Sequence, residues 1–459
     1  MMRLAFGLIA ALMSGALTAA PALAQPDYAP QPLVAIDNAD WTRDAVLYQL
    51  NTRQFTAEGT FAAAQKHLPR LADMGVDIIW LMPIHPIGEL HRKGTLGSPY
   101  AVRDYRAVNP EFGTEAEFRA FVDEAHRLGM KVILDWVANH SAFDNPLTQT
   151  HPEWYTRSPE GALMSPVGTD WSDVADFDFS QPALRQYMTE SLVYWVREFG
   201  IDGYRADVAG YVPLDFWETA RAELDKVKPV FMLAEWEQRD LHARAFDATY
   251  AWKWKEAMQR LAKDGSGASA IRSYYAEQAE SWPHAAMRMT YTDNHDQNSW
   301  DAVAADIYGP AYEAAIALSF VGIGLPLIYN GQEADLDRQL AFFEKDPITW
   351  RPGRYDSLFR RLIALKTEMP ALHNGRFGAG MVEVPSNAAN DVFAFTRGAA
   401  GERVFAVFNL SPRAQAARFD HARHHGRYVD ALSGEAAAFA GGETIDLAPW
   451  GYRIFSETK

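Results

Sequence analysis

Eight times between residues 45 and 369, a short run of strand-forming residues gives way to a longer run. The strand-like runs are 45–50, 77–83, 131–137, 203–208, 230–235, a weaker 245–252, 288–292 and 325–329. Helix-like stretches include 61–74, 114–128, 182–199, 213–227, 311–321 and 355–369, with further helix within 253–280. Thr114 and Glu117 form the signature of a capping box, and Gly129 supplies the stop. Strict alternation of strand and helix is the pattern of an α/β protein with a parallel sheet. Eight such units predict one closed (β/α)8 TIM barrel, over 38–374. A polar, Pro-containing stretch at 141–180 interrupts the alternation and predicts a small subdomain inserted after the third strand. Beyond residue 375 the helical pattern stops. Short strands at 392–395, 403–408, 426–429 and 450–455 predict a C-terminal antiparallel β-sandwich over 375–459.

In a barrel of this kind chemistry is carried by the C-terminal ends of the strands. Those ends hold Asp135, Asn139 and His140 after strand three, and Arg205 and Asp207 at strand four. Glu235 ends strand five, and Asn294, His295 and Asp296 follow strand seven. Side chains two apart on a strand share a face, so Arg205 and Asp207 lie side by side. A guanidinium there favours an ionised Asp207, and Glu235, beside Trp236 with fewer evident cations, is expected to hold its proton. The sequence has no cysteine, which excludes thiolate chemistry, disulfides and cysteine-held zinc. No Ser-His pattern or phosphate loop stands out. Carboxylates converging on one rim point instead to glycosyl transfer, where one carboxyl protonates the leaving oxygen and another attacks the anomeric carbon. Neighbouring strands lie ~4.8 Å apart, which suits Asp207 and Glu235 to the ~5 Å spacing of a retaining pair. Asp296, His140 and His295 are then placed to bind sugar hydroxyls.

The segments Gly75–Pro83, Asp135–His140, Gly203–Asp207, Ala234–Trp236, Thr292–Asp296 and Gly324–Glu333 occur in this order. In these the chain resembles the α-amylase family, glycoside hydrolase family 13. The resemblance implies a retaining double displacement on α-glucosidic bonds, mainly α-1,4, in starch, maltodextrins or related glucans. It implies Asp207 as nucleophile, Glu235 as acid/base and Asp296 as transition-state stabiliser, with Arg205, His140 and His295 lining the same subsite. Tyr100 matches the aromatic residue that stacks on the reacting sugar, and Asp135 a structural partner of Arg205. Asn139 and Asp176 match calcium ligands of the family; the alternative is that Asn139 only braces its loop. Where many members carry Lys-His after the nucleophile, this chain has Gly210-Tyr211. α-Glucosidase or transglycosylase action on short oligosaccharides or sucrose stands as the alternative activity, and a non-catalytic sugar-binding barrel as the alternative of another class.

Residues 1–24 have the form of a cleaved signal peptide: Arg3, an apolar run, then Ala22-Leu23-Ala24. Residues 25–37 read as a flexible leader. Export to a periplasm or the medium is therefore expected, without a stable membrane anchor. The formal net charge of −16 argues against a nucleic-acid partner and is compatible with a neutral sugar. A monomer with no organic cofactor is expected.

Overall fold

The computed structural model describes residues 35–458. The expected signal peptide, and the expected leader apart from residues 35–37, lie outside the described residues. Eight parallel strands close into a barrel. They are β1 (Leu47–Leu50), β2 (Ile78–Leu81), β3 (Lys131–Trp136), β4 (Gly203–Ala206), β5 (Phe231–Ala234), β6 (Ala248–Tyr250), β7 (Met287–Tyr291) and β8 (Leu325–Tyr329). Each pairs with its neighbours in chain order, and β8 closes on β1 with Leu327 opposite Leu47.

Both faces of these strands are buried, which is why they read as continuous apolar runs. Leu47, Ile78, Ile133, Leu233 and Met289 fill the barrel interior. Tyr48, Ile79, Leu134, Tyr204 and Met232 belong to the larger core that includes the surrounding helices. The helix Glu115–Arg127 shows how one such layer is built. Thr114 Oγ1 accepts the Glu117 N–H at 3.2 Å, and the Glu117 carboxylate accepts the Thr114 N–H at 2.7 Å. That reciprocal cap satisfies two donors at the helix start. Phe118, Phe121, Val122 and Ala125 fall on one stripe and are all buried. Each of the two Phe rings contributes about 2–3 kcal/mol by leaving water.

Two sequence expectations need correction. The helix expected over 61–74 is two helices, Phe61–Gln65 and Leu68–Met74. Pro69 sits in the first turn of the second, where its missing N–H and fixed φ are tolerated. The C-terminal region holds more strands than the four expected. One sheet runs in the order Met381–Glu383, Val392–Arg397, Val404–Asn409, Tyr452–Glu457, Gly426–Asp430, Ala436–Phe439. Gln415–Phe419 pairs with Glu443–Leu447 in a second sheet. Phe405, Val407, Phe419 and Ile445 from the two sheets share one core.

The stretch after β3 is closed at its base by two short antiparallel strands, His140–Ala142 and Val174–Asp176, with His140 opposite Asp176. This pairing sets the inserted residues over the C-terminal end of the barrel. No described helix is long and apolar enough to cross a membrane.

Candidate active site

β4 and β5 run parallel with Ala206 opposite Ala234. Asp207 and Glu235 are the next residues on each chain. The Glu235 N–H donates to Ala206 O at 3.0 Å and the Asp207 N–H to Trp136 O at 2.9 Å. The ladder thus extends to the two carboxylates and fixes their backbones. Both are buried, at 7% and 8% exposure, yet both open onto a cleft of about 560 Å³. Tyr100, His140, His295 and Asp296 line the same cleft.

A single fully buried guanidinium ties the carboxylates together. Arg205 Nη1 lies 2.7 Å from Asp135 Oδ1 and 3.0 Å from Asp207 Oδ1, both well-directed hydrogen bonds. Its Nη2 lies 2.9 Å from Glu235 Oε1, off the hydrogen-bonding direction. Glu235 Oε2 accepts the Val208 N–H at 2.7 Å. This corrects the sequence reading that Glu235 has fewer cations near it: the same Arg205 serves both. The expectation that Arg205 alone keeps Asp207 ionised also gives way. Burial first, and then the nearby Glu235 charge, push the Asp207 carboxyl well above the usual range against the pull of Arg205. Burial likewise raises Glu235, although Arg205 opposes it. Burial and the mutual repulsion of the two carboxylates thus both oppose ionising the pair at once.

Asp135 is wholly buried and accepts from Arg205, from Trp80 Nε1 at 3.1 Å and from the Tyr100 hydroxyl at 3.0 Å. It has no place in the cleft lining and braces Arg205. Gln49 orders the next link. Its carbonyl accepts the His295 N–H at 3.2 Å and its amide donates to His295 Nδ1 at 2.7 Å. The proton therefore sits on Nε2, which donates to the Tyr100 hydroxyl at 2.7 Å. Burial holds both His295 and His140 down at about 3, so each is a neutral imidazole. His295 was expected to donate to a sugar hydroxyl; its N–H is engaged by Tyr100, and a sugar has to displace that bond. His140 Nδ1 faces the Asn139 amide at 3.3 Å, and its Nε2 hydrogen-bonds no described residue. Asp296 Oδ1 lies 3.4 Å from His295 Nε2, with its side chain about half exposed to the cleft.

Asn139 and Asp176, matched to calcium ligands by the resemblance, are brought alongside each other: His140 pairs with Asp176, and the Phe177 N–H donates to Asn139 O at 3.1 Å. Asp176 accepts from the Thr156 hydroxyl at 2.8 Å, and the Asn139 amide is turned to His140. Among the described residues no three His, Asp or Glu side chains are grouped to hold a metal.

Sequence reasoning missed the aromatic banks of the cleft. Trp300 packs on Phe342 at 5.1 Å and on Phe343 at 5.7 Å between ring centres. Phe342 is parallel to Tyr100 at 6.2 Å. On another side Trp171 lines the cleft and heads a row that continues through Tyr211 to Trp236, at 6.3 and 5.4 Å. Gly210 makes that row possible: a Cβ there would stand 2.0 Å from the Trp236 ring. Gly210→Ala is therefore expected to push Trp236 off its seat beside Glu235, at about 1–3 kcal/mol of stability. Thermal melts and turnover of a maltooligosaccharide should both fall; an unchanged variant would show that the ring is free to move.

The family model described as alpha amylase, catalytic domain, matches residues 37–165 and 167–359. That of the maltogenic amylase C-terminal domain matches 382–454. Alpha-amylase MalA of Haloarcula japonica is 25% identical over 398 residues, 82% of this chain and 56% of its own. An alpha-1,4-glucan:maltose-1-phosphate maltosyltransferase of Pseudomonas aeruginosa is 28% identical over 355 residues, 69% of this chain and 51% of its own. The chain thus spans little more than half the length of these relatives. Solved structures match it over about nine-tenths of its length and over nearly all of their own. An alpha-amylase from Lactobacillus plantarum gives a TM-score of 0.80 at 33% identity, over 91% of this chain and 100% of its own. The noncanonic maltogenic alpha-amylase AmyB from Thermotoga neapolitana gives 0.83 at 30% identity, over 91% and 99%.

Proposed function

The chain belongs to the alpha-amylase family and is a glycosidase-type enzyme, and from that premise we propose that it hydrolyses α-1,4 bonds of α-glucans with retention. The observation that carries this reading is Arg205, one buried cation held between Asp207 and Glu235 on adjacent strand ends.

In this mechanism the reacting glucosyl ring rests on Tyr100 with its anomeric carbon toward Asp207. Glu235 gives its proton to the glycosidic oxygen as the C–O bond breaks. The Asp207 carboxylate attacks the anomeric carbon and forms a covalent glycosyl ester. Glu235, now ionised, takes a proton from water, whose oxygen attacks the same carbon and releases Asp207. Two inversions leave the α-anomer. The well-directed bond from Arg205 at 3.0 Å favours the ionised form of Asp207 that the first step needs. His140 Nε2 and Asp296 are placed to bind hydroxyls of the strained sugar.

Soluble starch, maltoheptaose, pullulan and sucrose, each incubated with the enzyme and resolved by chromatography, test the reading. Short maltooligosaccharides or maltose from the first two are expected. Products longer than the maltoheptaose supplied would move the assignment to a transglycosylase, whose sugar acceptor replaces water in the second step. Export is proposed on residues 1–24 alone: the mature protein is expected to start at Gln25, and an exported chain retaining Met1 by N-terminal sequencing would contradict cleavage.

A further inference from the structure

The loop after β2 is built as a strap. Its base is closed by a bridge between Ile87 and Val102 and by the Gly88 N–H donating to Ala101 O at 2.9 Å. Its two limbs are braced from within. Arg92 donates to Gly88 O at 2.8 Å, and Arg53 donates to Gly97 O at 2.9 Å. At the tip it ties two other loops together. Lys93 Nζ lies 3.2 Å from Asp173 Oδ1 and donates to Asp170 O at 3.2 Å, both on the insertion after β3. Two residues on, the Thr95 N–H donates to Glu344 Oε1 at 2.9 Å and the Leu96 N–H to Phe343 O at 3.1 Å, both on the loop after β8. Gly94 is needed for this approach: a Cβ there would stand 2.5 Å from Phe343 Cβ.

Lys93 and Phe343 both line the catalytic cleft. In the closed ring of strands, β8 lies opposite β4 and β1 opposite β5, and the strap reaches from β2, beside β1, to the loop after β8. The strap therefore stands on the side of the cleft away from Glu235. Glu235 protonates the leaving group, so the far side, beyond Tyr100, takes the sugars on the non-reducing side of the scissile bond. A continuous glucan has to run out through that side if it is cut internally. Here the run meets Lys93, Phe343 and the backbone that joins them.

We infer that the 88–101 strap walls off the non-reducing end of the cleft, so that the enzyme takes α-glucan chains by that end rather than within their length. The inference rests on the glycosidase reading above. The substrate class it names is maltooligosaccharides and glucan chains with a free non-reducing terminus.

The test compares maltoheptaose carrying an aryl tag at its reducing end with the same compound capped by a 4,6-ethylidene group at its non-reducing end. Shortened tagged chains are separated by chromatography. The uncapped compound is expected to be shortened readily, and the capped one about a hundredfold more slowly. Lys93→Ala, and separately Thr95→Ala with Glu344→Ala, each release one mooring and are expected to raise the capped rate about tenfold. Equal turnover of capped and uncapped compounds by the unmodified enzyme would overturn the wall, as would released straps that leave the capped compound uncut. No turnover of either compound would instead count against the glycosidase reading.

Discussion

Asp207→Asn is expected to lower turnover of maltoheptaose by roughly 10⁴-fold while leaving a folded, substrate-binding protein. An amide does not attack an anomeric carbon to give a covalent ester, so the first displacement stops. The fold should hold because Arg205 keeps its bond to Asp135 and its contact with Glu235. Stability gives a second signature with a definite sign. The Asp207 carboxyl is raised well above its ordinary value by burial and the Glu235 charge. Its protonated form therefore suits the folded state, and that advantage is complete below about pH 4, where the unfolded carboxyl titrates. As pH rises toward and through the elevated folded value, the unmodified protein loses it. The variant has no such group. Its melting temperature should match or trail that of the unmodified enzyme at pH 4 and exceed it at pH 8. A variant that kept full turnover would refute the nucleophile; one with the opposite pH trend would place Asp207 in a stabilising ion pair instead.

Glu235→Gln is expected to lose about 10²–10⁴-fold on maltoheptaose and much less on glycosides with good leaving groups. A nitrophenolate departs without a proton, so the missing acid matters little for its departure. The second step still needs a base, and turnover on such substrates should become limited by breakdown of the ester. Burial raises Glu235 above the usual carboxylate range, against Arg205 and the Val208 N–H. Activity on natural substrates should accordingly fall as pH rises through that elevated value, because the acid form is lost. In the variant this alkaline limb should disappear from kcat/KM on an activated aryl glycoside. Equal losses on natural and activated substrates, with the limb unchanged, would argue against the acid/base role.

The barrel was readable because its strands are buried on both faces and alternate with helices whose apolar stripes face the core, so local pattern and tertiary place agree. The rim residues were readable for a related reason. Asp135, Asp207, Glu235 and Asp296 are polar residues that directly end or closely follow apolar strand runs, and a barrel gathers strand ends on one face. What lay outside the sequence was anything that depends on distance across the ring. Nothing local says that Arg205, on β4, also reaches Glu235 after β5. Nothing in the order of residues says that Trp236 lies against Gly210, or that Lys93 meets an insertion about eighty residues on. The missed C-terminal strands have a different cause. Gln415–Phe419 and Glu443–Leu447 alternate buried and exposed residues over only five positions each, and polar residues interrupt the pattern.

Retaining catalysis through Asp207 is the claim on which the rest depends. Incubation with 5-fluoro-α-glucosyl fluoride, whose ring fluorine slows ester breakdown, tests it most directly. Intact mass should rise by one fluoroglucosyl unit, and peptide sequencing should locate that unit on Asp207. A label on Glu235 or Asp296, or an unlabelled enzyme that turns the reagent over with inversion at the anomeric carbon, would contradict the account.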